Sequence, residues 1–195
     1  MDPLKSLEGA FERTGRTVEA VRPEHHDLPT PCSEWDVHAL LVHLVGVIAA
    51  FENVASGAKP EVPVTDLPAH LTALGEERIM DGPVDGYRDT AERTLAAWQQ
   101  RGSLDGTVFL PMGFELPADR ALGILLLDSL VHGWDLGRAI GVDTEIEPEV
   151  AQAALAVAQG FVGDQLRGTA FGNAIDLPDG ASPTDELVAF LGRRP

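Results

Sequence analysis

The sequence predicts an all-α protein: an antiparallel bundle of four or five long helices, with short extra helices and at most a small β-hairpin. Three observations predict it. Apolar residues recur at helical spacing in several long segments, no segment sustains the period-two alternation of a strand, and Gly or Pro stands at the segment ends.

Each element has its own warrant. Leu4, Leu7, Phe11, Val18 and Val21 give one apolar face to a first helix over residues 2–21. RPEHHDLPTPCSEW, with three prolines, reads as a loop. Ser33, followed three positions later by Asp36, resembles a capping box, so a second helix is expected to begin there. It should run to about Ser56, with Gly57 as its stop, and bury Val37, Leu40, Leu41, Leu44, Val47, Ile48, Phe51 and Val54. Residues 58–64 read as a linker. A third helical region follows, broken near residues 81–83 and resuming from Val84 to Gln100 through Tyr87, Ala91, Leu95 and Trp98. The stretch 102–117 is rich in Gly and Pro and reads as a loop with a hairpin at most. Pro117 suits the first turn of the longest apolar helix, 118–140, with Gly141 as its stop. Glu147-Pro148 opens a helix to about Arg167. Residues 169–195 are expected to form a C-terminal tail packed on the bundle, an extended segment and then a short helix capped by Ser182-Pro183, making 1–195 a single domain.

Composition bounds the partners. Fourteen basic against 31 acidic side chains give a net charge of −17. Such a chain is a poor binder of nucleic acid and is repelled by anionic membranes. Its apolar stretches, 40–51 and 121–131, read as too short to span a bilayer, and no signal peptide is evident, so a soluble cytoplasmic protein is expected. Cys32 is the only cysteine, which excludes an internal disulfide and any CxxC site.

Chemistry can sit where polar groups fall on apolar faces. His43 lies at the edge of the second helix's apolar stripe, whereas His38 points toward solvent. Asp128 and His132, four apart, share the stripe of Ala121, Leu125, Leu136 and Ala139. A carboxylate there needs a partner, whether His132, another residue or a cation. If the second helix packs beside the long one, His43 meets this pair, and two imidazoles with one carboxylate form a three-ligand set of the kind found in catalytic metal sites. The same D-x-x-x-H spacing also suits a plain hydrogen-bonded couple.

Other residues read more blandly. Cys32 suits a loop packing position, and His25-His26 a solvated pair. Trp35, Trp98 and Trp134 read as core anchors. Asp135 and Arg138 suit substrate binding, or else a surface salt bridge or helix-end contact. Of the acids, only Asp128 reads as buried for a reason. GxSxG, Walker A and GxGxxG motifs are absent.

TPCSEWDVHALLVHLVG (30–46), LLLDSLVHGWDLGRAIG (125–141) and FGNAIDLPDGASPTDELVAFLGRRP (171–195) together resemble the actinobacterial DinB-like proteins. These are related to the N-terminal metal-binding domain of mycothiol-dependent maleylpyruvate isomerase. The resemblance implies a DinB-type four-helix bundle holding a divalent metal, zinc or alternatively nickel, with His43, Asp128 and His132 as its ligands. It also implies mycothiol as co-substrate in S-transfer to, or isomerisation of, a small electrophile, with Arg138 steering an anionic substrate. Two departures stand out: the isomerase's carboxylate ligand is Glu rather than Asp, and it has a separate C-terminal domain that the short tail here does not resemble. The expected partners are a small-molecule thiol and an electrophilic substrate, with a homodimer compatible with both. A non-catalytic metal- or ligand-binding bundle and a metal-dependent hydrolase are the rival readings.

Overall fold

A computed structural model of the protein describes residues 2–33, 35–168 and 171–195. Residue 34 of the expected second helix and residues 169 and 170 of the expected tail lie outside the described residues.

The described residues form α1 (Pro3–Ala20), α2 (Val37–Val54), α3 (Leu67–Ile79), α4 (Pro83–Arg101), β1 (Thr107–Phe109), β2 (Glu115–Pro117), α5 (Ala118–Ile140), α6 (Pro148–Phe161) and α7 (Pro183–Phe190). Single 3-10 turns occupy Pro23–His25 and Asp164–Leu166. Helices α1, α2, α4 and α5 make a four-helix bundle in which α1 and α2 each pack against both α4 and α5. Helix α3 lies along α2, α6 packs on α5, and α7 packs on α6. The predicted all-α bundle and its hairpin are present, the hairpin pairing Val108 with Leu116 in antiparallel register.

Local chemistry explains most of the boundaries. Asp2 caps α1 by accepting from the Leu4 amide, and Ser182 caps α7 by accepting from the Asp185 amide. Gly102 and Gly141 end α4 and α5 in the left-handed conformation, at φ of 73° and 75°. Three boundaries differ from expectation. Asp36, not Ser33, caps α2, accepting from the Ala39 amide at 2.8 Å. The preceding loop is held by its own bonds, Val37 N to Leu28 O and His38 N to His26 O, which leaves no helical turn at residue 33. Helix α6 stops at Phe161 because Val162 leaves the helix with its side chain buried, 7% exposed. Pro117 closes β2 and stands immediately before α5 rather than within its first turn.

Helix α2 is the centre of the core, and Leu40, Leu41, Leu44, Val45 and Ile48 are completely buried. By length and composition this helix is apolar enough to cross a membrane, which the shorter stretch 40–51 did not suggest; most of it is buried inside the protein. Burying a Leu side chain contributes roughly 1.5–3 kcal/mol. Three buried polar side chains on the neighbouring helices donate to carbonyls across the helix contacts. Thr94 donates to Ile48 O at 2.9 Å, Trp98 Nε1 to Phe51 O at 3.2 Å, and Tyr87 to Phe11 O at 2.9 Å. Burial pushes the Tyr87 phenol far above its usual pKa, so it stays a donor.

Helix α3 approaches α2 backbone to backbone through two glycines. A Cβ on Gly46 would collide with the Leu71 carbonyl oxygen, and one on Gly75 with the Val42 carbonyl oxygen. Neither obstacle is a flexible side chain, so the helices themselves would have to separate. Gly46→Ala should therefore lower the unfolding free energy by about 1–3 kcal/mol despite the better helix propensity of Ala. Chemical denaturation checks this, and unchanged or increased stability would refute the close-approach argument.

Candidate metal centre

Helix α2 supplies His43 and helix α5 supplies Asp128 and His132. The α2–α5 contact brings the three together, with one ligand atom from each lying within 4.8 Å of the others. His132 Nε2 stands 3.5 Å from Asp128 Oδ1, and His43 Nε2 stands 3.8 Å from the same oxygen. Both separations exceed a normal N–H···O hydrogen bond. They are close to the spacing of about 3.3–3.6 Å between donors held about 2.0–2.2 Å from one tetrahedral ion. Asp128 Oδ2 is buried and has no hydrogen-bond partner among the described residues. An orphaned carboxylate oxygen in a protein interior is costly, and a shared cation would relieve it. The donor set therefore fits a divalent metal.

The second nitrogen of His132 is engaged elsewhere. His132 Nδ1 lies 3.1 Å from Asp135 Oδ2, one turn further along α5. Asp135 is completely buried and takes a two-pronged contact from Arg193, with Nη2 to Oδ2 at 2.9 Å and Nε to Oδ1 at 3.2 Å. Arg193 Nη2 also lies 3.8 Å from Cys32 Sγ. Burial pushes the Asp135 carboxyl up, but the hydrogen bond to His132 and the Arg193 charge more than offset it, leaving it below the usual carboxylate value. Asp128 follows the same pattern: burial raises it, and the neighbouring imidazoles, when charged, bring it below that value.

Trp35, at the end of the loop before α2, packs against both imidazoles. Its ring centroid is 4.2 Å from that of His43 and 5.9 Å from that of His132. The loop positions it through the Thr30 hydroxyl, which donates to Trp35 O at 2.8 Å and accepts from the Cys32 amide.

Placement of the other candidates corrects several expectations. Trp98 and Trp134 are buried core residues, but Trp35 is only partly buried and covers the two histidines. Asp135 is in neither a surface salt bridge nor a helix-end contact, and it, rather than the half-buried Asp128, is the fully buried acid of α5. Arg138 is exposed and stacks over the Trp134 ring at 5.4 Å. Six residues past His132, it projects about 120° away around the helix. His38 is exposed and packs on His26, while His25 Nδ1 accepts from the Arg22 amide. Cys32, His132 and Asp135 form a second close group of potential donors, but the Arg193 guanidinium already occupies its carboxylate. The sequence reading missed Arg193 altogether. Its only signal was a basic residue in the tail.

Comparison with known proteins gives a consistent picture. The profile of the mycothiol maleylpyruvate isomerase N-terminal domain matches residues 7–137. Uncharacterized proteins from two strains of Mycobacterium tuberculosis are each 33% identical over 195 residues, covering 99% of this chain and 98% of their own. The crystal structure of the mycothiol-dependent maleylpyruvate isomerase superposes with a TM-score of 0.62 at 18% identity, over 80% of this chain and 67% of that one. A histidine-to-alanine mutant of it gives 0.60 at 17% identity. At these identities the structural likeness is one of fold.

The α1–α5 contact sets the register of the two α5 donors. Thr14 of α1 donates to Ser129 O at 2.9 Å, and a Cβ on Gly133 would collide with the Thr14 hydroxyl. Gly133→Ala should cost about 1–3 kcal/mol of stability, and adding Thr14→Ala should recover part of it by removing the obstacle. Thermal melts of the single and double variants check this; simple additivity of the two losses would contradict it.

Proposed function

The chain belongs to the mycothiol maleylpyruvate isomerase N-terminal domain family, and from that premise we propose a cytoplasmic, divalent-metal- and mycothiol-dependent transferase or isomerase acting on a small electrophile. His43, Asp128 and His132 are the proposed ligands. Zinc suits two imidazoles and a carboxylate, and nickel is the alternative. The observation that carries this reading is the convergence of His43 Nε2 and His132 Nε2 on Asp128 Oδ1, at 3.8 and 3.5 Å, beside a buried Oδ2 with no hydrogen-bond partner among the described residues.

When bound, such an ion supplies a Lewis acid that favours the thiolate form of a thiol at neutral pH. The chain's residues do the rest. Asp135 accepts the Nδ1 proton of His132 and so leaves the Nε2 lone pair directed at the site. Trp35 shields both imidazoles from water and restricts their rotation. The reacting sulfur comes from the co-substrate, because Cys32, the only cysteine, lies on the Arg193 side of His132. In transfer, the sulfur bonds to the electrophilic carbon as the thiol proton is lost and a leaving group departs. In isomerisation, the thiolate instead adds to one carbon of a conjugated C=C bond, whose π pair moves onto the conjugated acceptor; rotation about the resulting single bond and expulsion of the thiolate then re-form the double bond.

The test begins with metal analysis of protein purified without chelators, followed by thiol-transfer and isomerase assays with mycothiol. Wild type should carry about one divalent ion per chain, and His132→Ala should lose most of it together with thiol-dependent turnover. No stoichiometric metal in wild type, or undiminished metal in His132→Ala, would overturn the ligand assignment. Full occupancy with no thiol-dependent turnover would point instead to a binding protein, and turnover with water alone to a hydrolase.

A further inference from the structure

We propose that Arg193 is a positioning residue for the metal-binding trio, acting through Asp135 on the tautomer and orientation of His132. The C-terminal segment then completes a centre otherwise built by α2 and α5. The inference rests on the assignment of His132 as a ligand.

Neutral imidazole carries one N–H, and the atom that accepts it decides which nitrogen keeps its lone pair. Asp135 is an ionised acceptor held in a fixed plane by the Arg193 fork, at 2.9 and 3.2 Å. Its Oδ2 is also the oxygen 3.1 Å from His132 Nδ1. Asp135 therefore holds the Nδ1 proton, so that Nε2, the atom that faces Asp128, is the nitrogen left to take a cation. Without the guanidinium, the Asp135 carboxylate loses both bonds that orient it and the charge that compensates its burial.

Arg193 is held firmly enough for this role. It is 7% exposed, its Nη1 donates to Leu191 O at 3.2 Å, and its amide donates to Val188 O at 2.9 Å in the turn that ends α7. Leu187, Val188 and Leu191 anchor that turn in the interior. The Thr184 hydroxyl, which accepts from the Ile146 amide at 2.9 Å, ties the start of α7 to the segment before α6. The family match ends at residue 137, so Arg193 brings to His132 a group from outside the matched domain.

The experiment uses full-length protein stripped of metal. Zinc affinity is measured by chelator competition at one neutral pH, and the His132 tautomer by 15N NMR of the zinc-free protein. Arg193→Met should weaken zinc binding by about 10- to 100-fold, as loss of an outer-shell partner does elsewhere. Arg193→Lys should recover part of this. In an Asp135→Asn background, Arg193→Met should add little, because its path to His132 is already cut. In the zinc-free protein, His132 Nδ1 should hold its proton in wild type, whatever the state of Nε2 beside the Asp128 carboxylate, and in the variants that proton should be shared between the two nitrogens.

A merely structural role would lower the melting temperature and leave both the tautomer and the zinc affinity of the folded protein unchanged. That result, or additive losses from Arg193→Met and Asp135→Asn, would overturn the proposal. Should Arg193→Met fail to fold, Arg193→Lys and Asp135→Asn decide by the same two readouts. Wild type that binds no zinc, or His132→Ala that binds as wild type does, would refute the ligand assignment instead. The zinc-free tautomer comparison would then still decide the role of Arg193.

Discussion

Helix α5 carries one fully buried and one half-buried carboxylate in an apolar bundle, and much of the structure answers to the compensation this requires. Asp135 is compensated within the protein by a guanidinium and an imidazole, both within hydrogen-bonding distance. Asp128 is compensated less completely, with one oxygen at 3.5 and 3.8 Å from imidazole nitrogens and the other without a hydrogen-bond partner among the described residues. The two acids lie seven residues apart, two turns along nearly the same face, and His132 stands between them with one ring nitrogen toward each. A closed carboxylate–histidine contact on one side and an under-satisfied carboxylate on the other is the pattern of an outer and an inner shell around a cation.

The bundle supports this arrangement by holding its helices at fixed separations. Thr14, Thr94, Trp98 and Tyr87 each donate to a carbonyl of a neighbouring helix. Glu52 of α2 links to Arg78 of α3 and Arg93 of α4, the latter through a pair of bonds at 2.9 and 3.2 Å. Glycines at positions 46, 75 and 133 allow approaches that a methyl group would prevent. A site assembled from α2 and α5 needs such constraints, since the trio's donor distances change with any sliding of the two helices.

Much of this was legible in the sequence. Helical spacing located the long helices, and the D-x-x-x-H step on α5 and the edge position of His43 nominated the trio that the fold brings together. Local contacts between residues three or four apart were thus readable. What was not readable was long-range pairing. Asp135 and Arg193 are separated by 58 positions, so the sequence around Asp135 suggested substrate binding or a surface contact and gave no sign of this partner. The α2 start was misplaced for a related reason. Ser33 and Asp36 had the right spacing for a cap, but the backbone bonds from residues 37 and 38 to Leu28 and His26 fold that loop back on itself. Trp35 looked like core, although its place over the two histidines follows from that same folded loop.

The fold also separates what this protein shares with the isomerase from what is its own. Residues 7–137 match the family domain and contain all three proposed ligands. The isomerase chain extends well beyond the shared fold, 67% of it being covered here. In this protein the segment after α5 instead folds back as α6 and α7 and delivers a buried arginine beside the centre. The proposed metal-holding function thus belongs to the shared helices, whereas the groups that tune His132 come partly from the tail. The proposed metal chemistry therefore draws on helices inside the matched domain, while the Arg193 contact ties its positioning to this chain's C-terminal segment.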